Sequence, residues 1–246
     1  MKYFLIALQF LTIIPLGKRR KLEEKDFAFS MIFFPAIGLI IGIFLLSVNY
    51  LISSFFSPLI VNTLIIVAWI AISGALHLDG FCDTVDGLYG GQTKEERLEI
   101  MKDSSIGAKG AVALICLLIL KLSLLMEISP QYKYQTLLFA PIMGRWGMVT
   151  GIFLAPYARE QGMAKSFIKY KDTKQLFWAS LITLIIGLFL FKFFSLGIIG
   201  LALIITFLLT IYLKRKIGGI TGDTLGGLNE IIEVFTLLII YCFVIR

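Results

Sequence analysis

HLDGFCDTVDGLYGGQTKEERLEIMKDSSIGAK, residues 77–109, is the stretch that decides how the rest of the chain is interpreted. It holds seven of the sixteen Asp and Glu residues of a 246-residue chain, together with the single histidine. Apolar runs long enough to cross a bilayer lie on both sides of it. A dense acidic segment between such runs indicates a polar site held at one face of a membrane.

The composition of the whole chain agrees with a membrane location. Hydrophobic residues make up 58% of the chain and charged residues 16%, against about 45–50% and about 25% in soluble domains. The mean hydropathy is +0.90. Much of the formal charge of +7 lies in loops beside apolar runs, which indicates membrane orientation and no nucleic-acid partner. The three separated cysteines predict neither a disulfide framework nor a zinc site.

The apolar pattern predicts an all-α, polytopic helical membrane protein with a single domain, residues 1–246. Residues 3–16 are apolar but too few to span a bilayer, so we expect an interfacial or re-entrant helix there. About seven transmembrane helices follow. Their predicted ranges are 28–52, 59–77, 107–128, 135–156, 176–193, 197–213 and 228–245.

Basic residues alternate between the two sides of these helices. Sixteen of the 23 Lys and Arg residues lie in the loops 17–27, 78–106, 157–175 and 214–227. The positive-inside rule puts those loops in the cytoplasm of a multi-pass plasma-membrane protein and its C-terminus outside. The acidic segment, the basic loop 157–175 and a glycine-rich stretch at 217–227 would then share one face.

Three of the acids are spaced for one face of a helix. Asp79, Asp83 and Asp86 stand at i, i+4 and i+7. Oxygen ligands without His or Cys suit Mg²⁺ or Mn²⁺; the alternative is a solvated acidic helix end. Gly80 and Gly87, beside these acids, would let a phosphate or another backbone come close.

Further charged residues surround this acidic face. Asp103, ahead of the third span, would either cap a helix or complete the metal site. Arg97 and Lys102 suit a polyanionic phosphate. The neighbouring residues Glu95, Glu96 and Glu99 are expected to form the polar face of an amphipathic helix. His77 is expected to have a hydrogen-bonded structural role.

Inside the spans, ionisable residues are few. Arg145 lies within the fourth span, where a buried guanidinium marks either function or a paired acid. Lys121 and Glu127 are nearer the ends of the third span, and we expect them to snorkel towards water. Arg159 and Gly162, in YAREQG, open the basic loop and could meet the site.

A second glycine cluster precedes the last span. The turn before this span contains Gly219, Gly222 and Asp223 and would offer backbone N–H groups to an anion. Asn229 lies at the start of the predicted last span. The alternative is a flexible loop with an N-cap. No P-loop lysine pattern is present, so a soluble-type nucleoside triphosphatase is not indicated.

Three segments together resemble the cobalamin synthase family, the adenosylcobinamide-GDP ribazoletransferases. They are HLDGFCDTVDGL at 77–88, RLEIMKDSSIGAKG at 97–110 and GGITGDTLGGLNE at 218–230. FLTIIPLG near the N-terminus, RWG at 145–147 and YAREQG at 157–162 are similar to the family as well, so the resemblance covers the whole chain. Ser105 stands where many members have Arg, so Lys102 or Lys109 would have to supply that phosphate contact.

The resemblance implies the last step of the nucleotide-loop assembly of vitamin B12. Adenosylcobinamide-GDP would react with α-ribazole, or its 5′-phosphate, to give adenosylcobalamin, or its phosphate, and GMP. Asp79, Asp83 and Asp86 would hold Mg²⁺ or Mn²⁺, and Asp103 would be a further ligand or the catalytic base. Arg97 and Lys102 would bind the pyrophosphate, and Gly222, Asp223 and Asn229 would close the nucleotide side. The oligomeric state is open and includes a homo-oligomer.

Two other functions fit parts of the pattern. A phosphatidyltransferase of the CDP-alcohol type has a similar acidic motif, although D-G-x-x-A-R is absent after Asp86. A transporter for a divalent cation or a metabolite would place ionisable groups near the middle of several spans. From the sequence, only Arg145 clearly qualifies, which favours the synthase.

Overall fold

A computed structural model describes residues 1–15, 22–162 and 164–242, and this part of the chain forms helices and no strands. The basic run at 18–21 and the last four residues, on which part of the topology prediction rests, lie outside the described residues. The helices are α1 (Lys2–Leu11), α2 (Glu24–Ser30), α3 (Phe34–Ile52), α4 (Pro58–Ser73), α5 (Leu76–Gly90), α6 (Lys94–Ile100), α7 (Ala108–Glu127), α8 (Pro130–Leu154), α9 (Ala164–Lys169), α10 (Thr173–Phe191), α11 (Phe194–Ile217) and α12 (Gly222–Ile240).

The all-α polytopic class is confirmed. Among the described residues, five helices are long and apolar enough to cross a membrane. They are α2 joined to α3 through a short 3₁₀ turn, α7, α8, α10 and α11. Counting the bent pair α4 and α5 as one span makes six. The seventh predicted span is α12, whose 19 residues include three carboxylates, so its composition alone does not mark it as a span.

The bend between α4 and α5 is the main departure from the predicted spans. Gly74 and Ala75 both adopt left-handed backbone conformations, with φ of 60° and 57°, and the two helices meet at 89°. The predicted span 59–77 therefore ends at Ser73, and His77 belongs to the next helix. This bend carries the acidic residues of α5 away from the direction of α4.

The last helix, α12, lies at the centre of the bundle. It packs against α5, α7, α8 and α11, and most of its side chains are buried. Its N-terminus is closed by a capping box in which Thr221 and Thr224 exchange side-chain and backbone hydrogen bonds. The position of Asp223 in the first turn is fixed by this cap.

Two glycines let α3 and α8 pack with their backbones in contact. A Cβ atom added at Gly38 would lie 2.6 Å from Ile142 Cα, and one at Gly42 would lie 2.7 Å from Leu138 Cα. Spacing of small residues by four positions is typical of close helix pairs in membranes. Larger side chains at these positions would separate the two helices.

We therefore expect Gly42→Leu to lower the thermal unfolding midpoint by about 5 °C or more, because an overpacked contact costs about 1–3 kcal/mol. Differential scanning fluorimetry of the purified protein would measure it. Gly200→Leu on α11 is the matched control, since nothing lies within 4 Å of a Cβ added there. Equal midpoints for the two variants would contradict the close α3–α8 contact.

Candidate functional site

The candidate site lies where the N-terminal halves of α5 and α12 cross. A Cβ atom added at Gly80 would lie 2.7 Å from the carbonyl oxygen of Asp223, and one at Gly226 would lie 3.1 Å from His77 Cα. The two backbones can approach this closely because neither glycine carries a side chain. The predicted close approach at Gly80 is thus to another backbone, and it brings the acids of α5 next to Asp223.

Three carboxylates and one guanidinium meet at this crossing. Asp83 is half-buried, and the charges of Asp79 and Asp223 both act on it. Arg159 Nη2 lies 2.7 Å from Asp223 Oδ2, and both side chains are mostly buried. Among the described residues, Arg159 Nε has no hydrogen-bond partner. The cluster keeps excess negative charge and one unsatisfied cationic donor.

Arg159 is held in place by a short backbone bridge between two loops. The Ile220 N–H donates to Pro156 O at 2.9 Å, and the Ala158 N–H donates to Ile220 O at 2.9 Å. Gly219 permits this pairing, since a side chain there would collide with Pro156 O. Gly219 therefore positions the loop that carries Arg159, and no anion need contact it.

Asp86 is engaged differently from the other two acids of α5. Its carboxylate accepts from the backbone N–H groups of Gly107, at 2.9 Å, and Gly110, at 2.8 Å. These amides belong to the start of α7, so Asp86 caps a neighbouring helix. A carboxylate has about four acceptor sites, so these two hydrogen bonds leave room for a metal ion. The role of Asp86 as a metal ligand stays a prediction.

Asp103 does not cap α7, whose first amides are taken by Asp86. It is exposed and accepts from the backbone N–H of Ser105 at 3.0 Å and from its hydroxyl at 2.8 Å. These hydrogen bonds, the backbone one first, lower the pKa of Asp103. A lowered pKa makes a carboxylate a weaker proton acceptor, which does not favour Asp103 as the base.

The charged residues predicted around the site lie on the short helix α6 and just after it, and their contacts differ. Arg97 Nη1 donates to Lys216 O at 3.1 Å, at the C-terminal end of α11. Glu96 completes a capping box with Thr93, and the predicted helix with its acidic face is present. Lys102 is exposed and lines an open cleft. Gly87 allows α5 to pack against Met101 and the Arg97 carbonyl.

Two concavities adjoin Arg159. One is an apolar cavity of about 210 Å³ that reaches inward from Asp79, Asp223 and Arg159, with Gly222 and Gly162 in its wall. The other is a wide, open cleft of about 1350 Å³ whose walls are partly polar and partly apolar. Residues lining the cleft include Lys94, Glu95, Glu96, Glu99, Lys102, Asp103, Arg159 and Glu160.

Arg145 and Asn229 belong to a separate, buried charge network. Arg145 is fully buried and paired with Glu233, as one of the predicted alternatives required. Asn229 Nδ2 donates to Glu233 Oε1 at 3.1 Å. Lys121 Nζ lies 2.9 Å from Glu230 and 2.8 Å from Glu233. Neither Arg145 nor Asn229 is among the residues that line the cavity or the cleft.

The prediction that Lys121 snorkels is wrong, because its side chain is 4% exposed and paired with two glutamates. Glu127 is exposed at the end of α7. The prediction that Arg145 is the one clearly ionisable residue within the spans is also wrong, because Lys121, Glu230 and Glu233 are buried there as well. The number of ionisable residues in the spans therefore does not weigh against a transporter. Sequence reasoning missed Glu230 and Glu233, although two acids three positions apart in an apolar segment are the signal.

His77 is buried, and its Nε2 has no hydrogen-bond partner among the described residues. Its predicted structural role therefore lacks a hydrogen bond at this nitrogen. Cys82, next to the acids, is buried as a small packing residue.

Donor chemistry suits a hard divalent cation at the acidic cluster, although its ligands are not assembled in advance. Among the described residues, no three Asp, Glu, His or Cys side chains converge closely enough to hold a metal ion. Mg²⁺ usually binds through one or two carboxylates, waters and substrate phosphates, so it does not require a complete protein cage. Asp79 and Asp83 fit that incomplete donor set.

Fold and site together define an all-α membrane protein with an acidic, arginine-containing site at one end of its bundle. Residues 3–241 match the family described as cobalamin-5-phosphate synthase. The chain belongs to that family.

Individual relatives support the same assignment. The chain is 37% identical to the adenosylcobinamide-GDP ribazoletransferase of Desulforamulus reducens, over 96% of this chain and 94% of the relative. It is 36% identical to that of Acetivibrio thermocellus, over 99% and 98%, and 38% identical to that of Clostridium acetobutylicum, over 96% and 94%. No solved structure matches the chain.

Proposed function

We propose that this protein is an adenosylcobinamide-GDP ribazoletransferase that uses Mg²⁺ and works at the cytoplasmic face of the plasma membrane. The observation that carries the proposal is the pairing of Asp223 with Arg159 beside Asp79 and Asp83, where Arg159 lines both a small apolar cavity and a wide cleft. Family membership supplies the substrates, adenosylcobinamide-GDP and α-ribazole or its 5′-phosphate. It also favours this function over a CDP-alcohol phosphatidyltransferase or a transporter.

In the proposed reaction, a secondary ribose hydroxyl of α-ribazole forms a bond to the phosphorus that stays with the corrinoid, since the 5′ oxygen carries a phosphate in the alternative substrate. The bond from that phosphorus to the bridging oxygen breaks, and GMP leaves with it. The hydroxyl proton passes to a carboxylate of the cluster, where Asp79, Asp83 and Asp223 are the available acceptors. Arg159 donates from Nε, which has no protein partner among the described residues, to a pyrophosphate oxygen.

A divalent cation would be held by Asp79 and Asp83 together with substrate oxygens. When bound, Mg²⁺ supplies positive charge that offsets the pyrophosphate and the departing GMP. Lys102 and Asp103, which line the cleft together with Arg159, would contact the GDP portion. The wide cleft is the side with room for the guanosine and the corrinoid.

The proposal is tested by incubating the purified protein with adenosylcobinamide-GDP, α-ribazole and Mg²⁺ and identifying the products by mass spectrometry. We expect adenosylcobalamin and GMP in equal amounts. A second reaction, in which a CDP-activated lipid and an alcohol acceptor replace both substrates, should give no product. Product formation only with the lipid substrates would overturn the proposal.

Arg159→Ala should lower kcat/KM about 100-fold or more, because it removes a charged donor from the reacting pyrophosphate. Steady-state GMP release measures this. Lys165→Ala is the matched control: it removes one positive charge from the same basic loop, at an exposed position on α9. A similar small effect of both substitutions would show that Arg159 acts only through general charge.

A further inference from the structure

The apolar cavity beside the acidic cluster has walls unlike those of the cleft. Its innermost residues include Phe34, Phe167, Met148 and Ile152, each no more than 3% exposed. The charged residues Asp79, Asp223 and Arg159 lie at its outer end, where exposure is greater. The cavity is therefore apolar inside and charged only at its mouth.

We infer that this cavity binds the aromatic base of α-ribazole, with the ribose at the mouth; the inference rests on the proposed function and assigns one part of its substrate. A dry apolar cavity of about 150 Å³ lined by Leu, Ile and Phe holds one benzene ring. At about 210 Å³, this cavity is larger and suits a fused two-ring aromatic system.

The other parts of the substrates fit poorly. The corrin ring is far larger than the cavity and needs the open cleft. Guanine carries a carbonyl, an amino group and ring N–H groups, which would lose hydrogen bonds against Phe, Met and Ile walls. A dimethylbenzimidazole has no exocyclic polar group and a single unsubstituted ring nitrogen.

One inner-wall residue matches that single nitrogen. His77 is 3% exposed, and it lines the cavity among apolar neighbours. Its Nε2 has no partner among the described residues. With the base inside, the ribose lies beside Asp79 and Asp223, where its secondary hydroxyl is needed for the proposed reaction.

Changes in the size of the cavity should change the preference for the base. Ala164→Leu fills it, because Ala164 is 4% exposed and lines its wall. Met148→Ala enlarges it. Ribosides of benzimidazole, 5,6-dimethylbenzimidazole and naphthimidazole provide a series of increasing size, and KM for each is measured against KM for adenosylcobinamide-GDP.

We expect Ala164→Leu to raise KM for the dimethylbenzimidazole riboside at least 10-fold and to shift preference towards the unsubstituted base, since one methylene changes discrimination by about 10–200-fold. Met148→Ala should shift preference at least 10-fold towards the naphthimidazole riboside. KM for adenosylcobinamide-GDP should stay within about 2-fold in both variants. Met143→Ala, on the same helix but outside the cavity wall, is the matched control and should leave the preference unchanged.

Unchanged base preference in both cavity variants, with wild-type turnover intact, would overturn the cavity assignment and leave the proposed function standing. Absence of turnover by the wild-type protein would instead overturn the proposed function. A lipid acyl chain is the competing occupant. Native mass spectrometry that shows a lipid retained in the presence of saturating α-ribazole, together with unshifted base preference, would assign the cavity to lipid.

Discussion

Asp83→Asn should lower GMP release at least 100-fold and leave the protein as stable as the wild type, whereas Asp86→Asn should lower stability as well as activity. Both residues lie on α5, three positions apart, yet their surroundings differ. Asp83 is crowded by the charges of Asp79 and Asp223. Asp86 accepts two backbone N–H groups at the start of α7.

The expected sizes follow from these surroundings. Removing a charged group that acts on the reacting phosphates costs about 10²–10³ in kcat, and loss of negative charge relieves crowding at Asp83. An amide at position 86 can accept with one oxygen only, so at least one charge-assisted hydrogen bond is lost. At about 1.5–3 kcal/mol for such a bond, the unfolding midpoint should fall by about 5 °C.

GMP release and scanning fluorimetry on the same preparations separate the two roles. Glu127→Gln is the control, since Glu127 is exposed at the end of α7 and lines neither the cavity nor the cleft. Near-normal turnover by Asp83→Asn would remove the acidic cluster as the reaction site. An unchanged midpoint for Asp86→Asn would show that the cap on α7 does not contribute to stability.

Glu233→Ala should be the most destabilising single substitution among those considered. The Glu233 carboxylate pairs with Arg145 and with Lys121, which brings α7, α8 and α12 together. Lys121 Nζ also lies 4.3 Å from the centre of the Trp69 ring on α4. Breaking a buried ion pair from one side costs about 3–5 kcal/mol, because the partner charge is left unpaired.

We expect the midpoint to fall by about 10 °C or more, or the protein to fail to accumulate in membranes. Removing a cation at the same time should restore part of the loss, so Glu233→Gln with Arg145→Gln is expected to be more stable than Glu233→Ala. Glu127→Ala at the exposed end of α7 is the control for loss of one acid. Wild-type stability of Glu233→Ala would show that the network does not hold the helices together.

Most of the long helices could be predicted, because an apolar run long enough to cross a membrane is typical of a transmembrane helix. The run predicted at 107–128 is α7, Ala108–Glu127, and the run at 176–193 is α10, Thr173–Phe191. The turn after Ser73 was missed because Gly74 and Ala75 continue an apolar pattern. Glycine at a helix C-terminus commonly adopts the left-handed conformation, but the residue type of Ala75 gives no such signal.

The sequence placed the acids on their helix but could not show their partners. Helical spacing correctly placed Asp79, Asp83 and Asp86 on one helix, but spacing cannot show that α12 approaches two of them and α7 the third. The pairing of Arg159 with Asp223 joins residues 64 positions apart. The metal and substrate roles assigned to these residues stay predictions.

The crossing of α5 and α12 bears on which sequence changes the protein can tolerate. A side chain at Gly80 would collide with the Asp223 backbone, and one at Gly226 would crowd the backbone of His77, so both glycines keep α5 and α12 close together. A saturation survey scored on growth that depends on cobalamin should therefore rank these glycines with the aspartates among the least replaceable positions. Exposed acids such as Glu95 should accept most replacements. The absence of a side chain at these glycines would thus be as necessary to the protein as the charge of an aspartate.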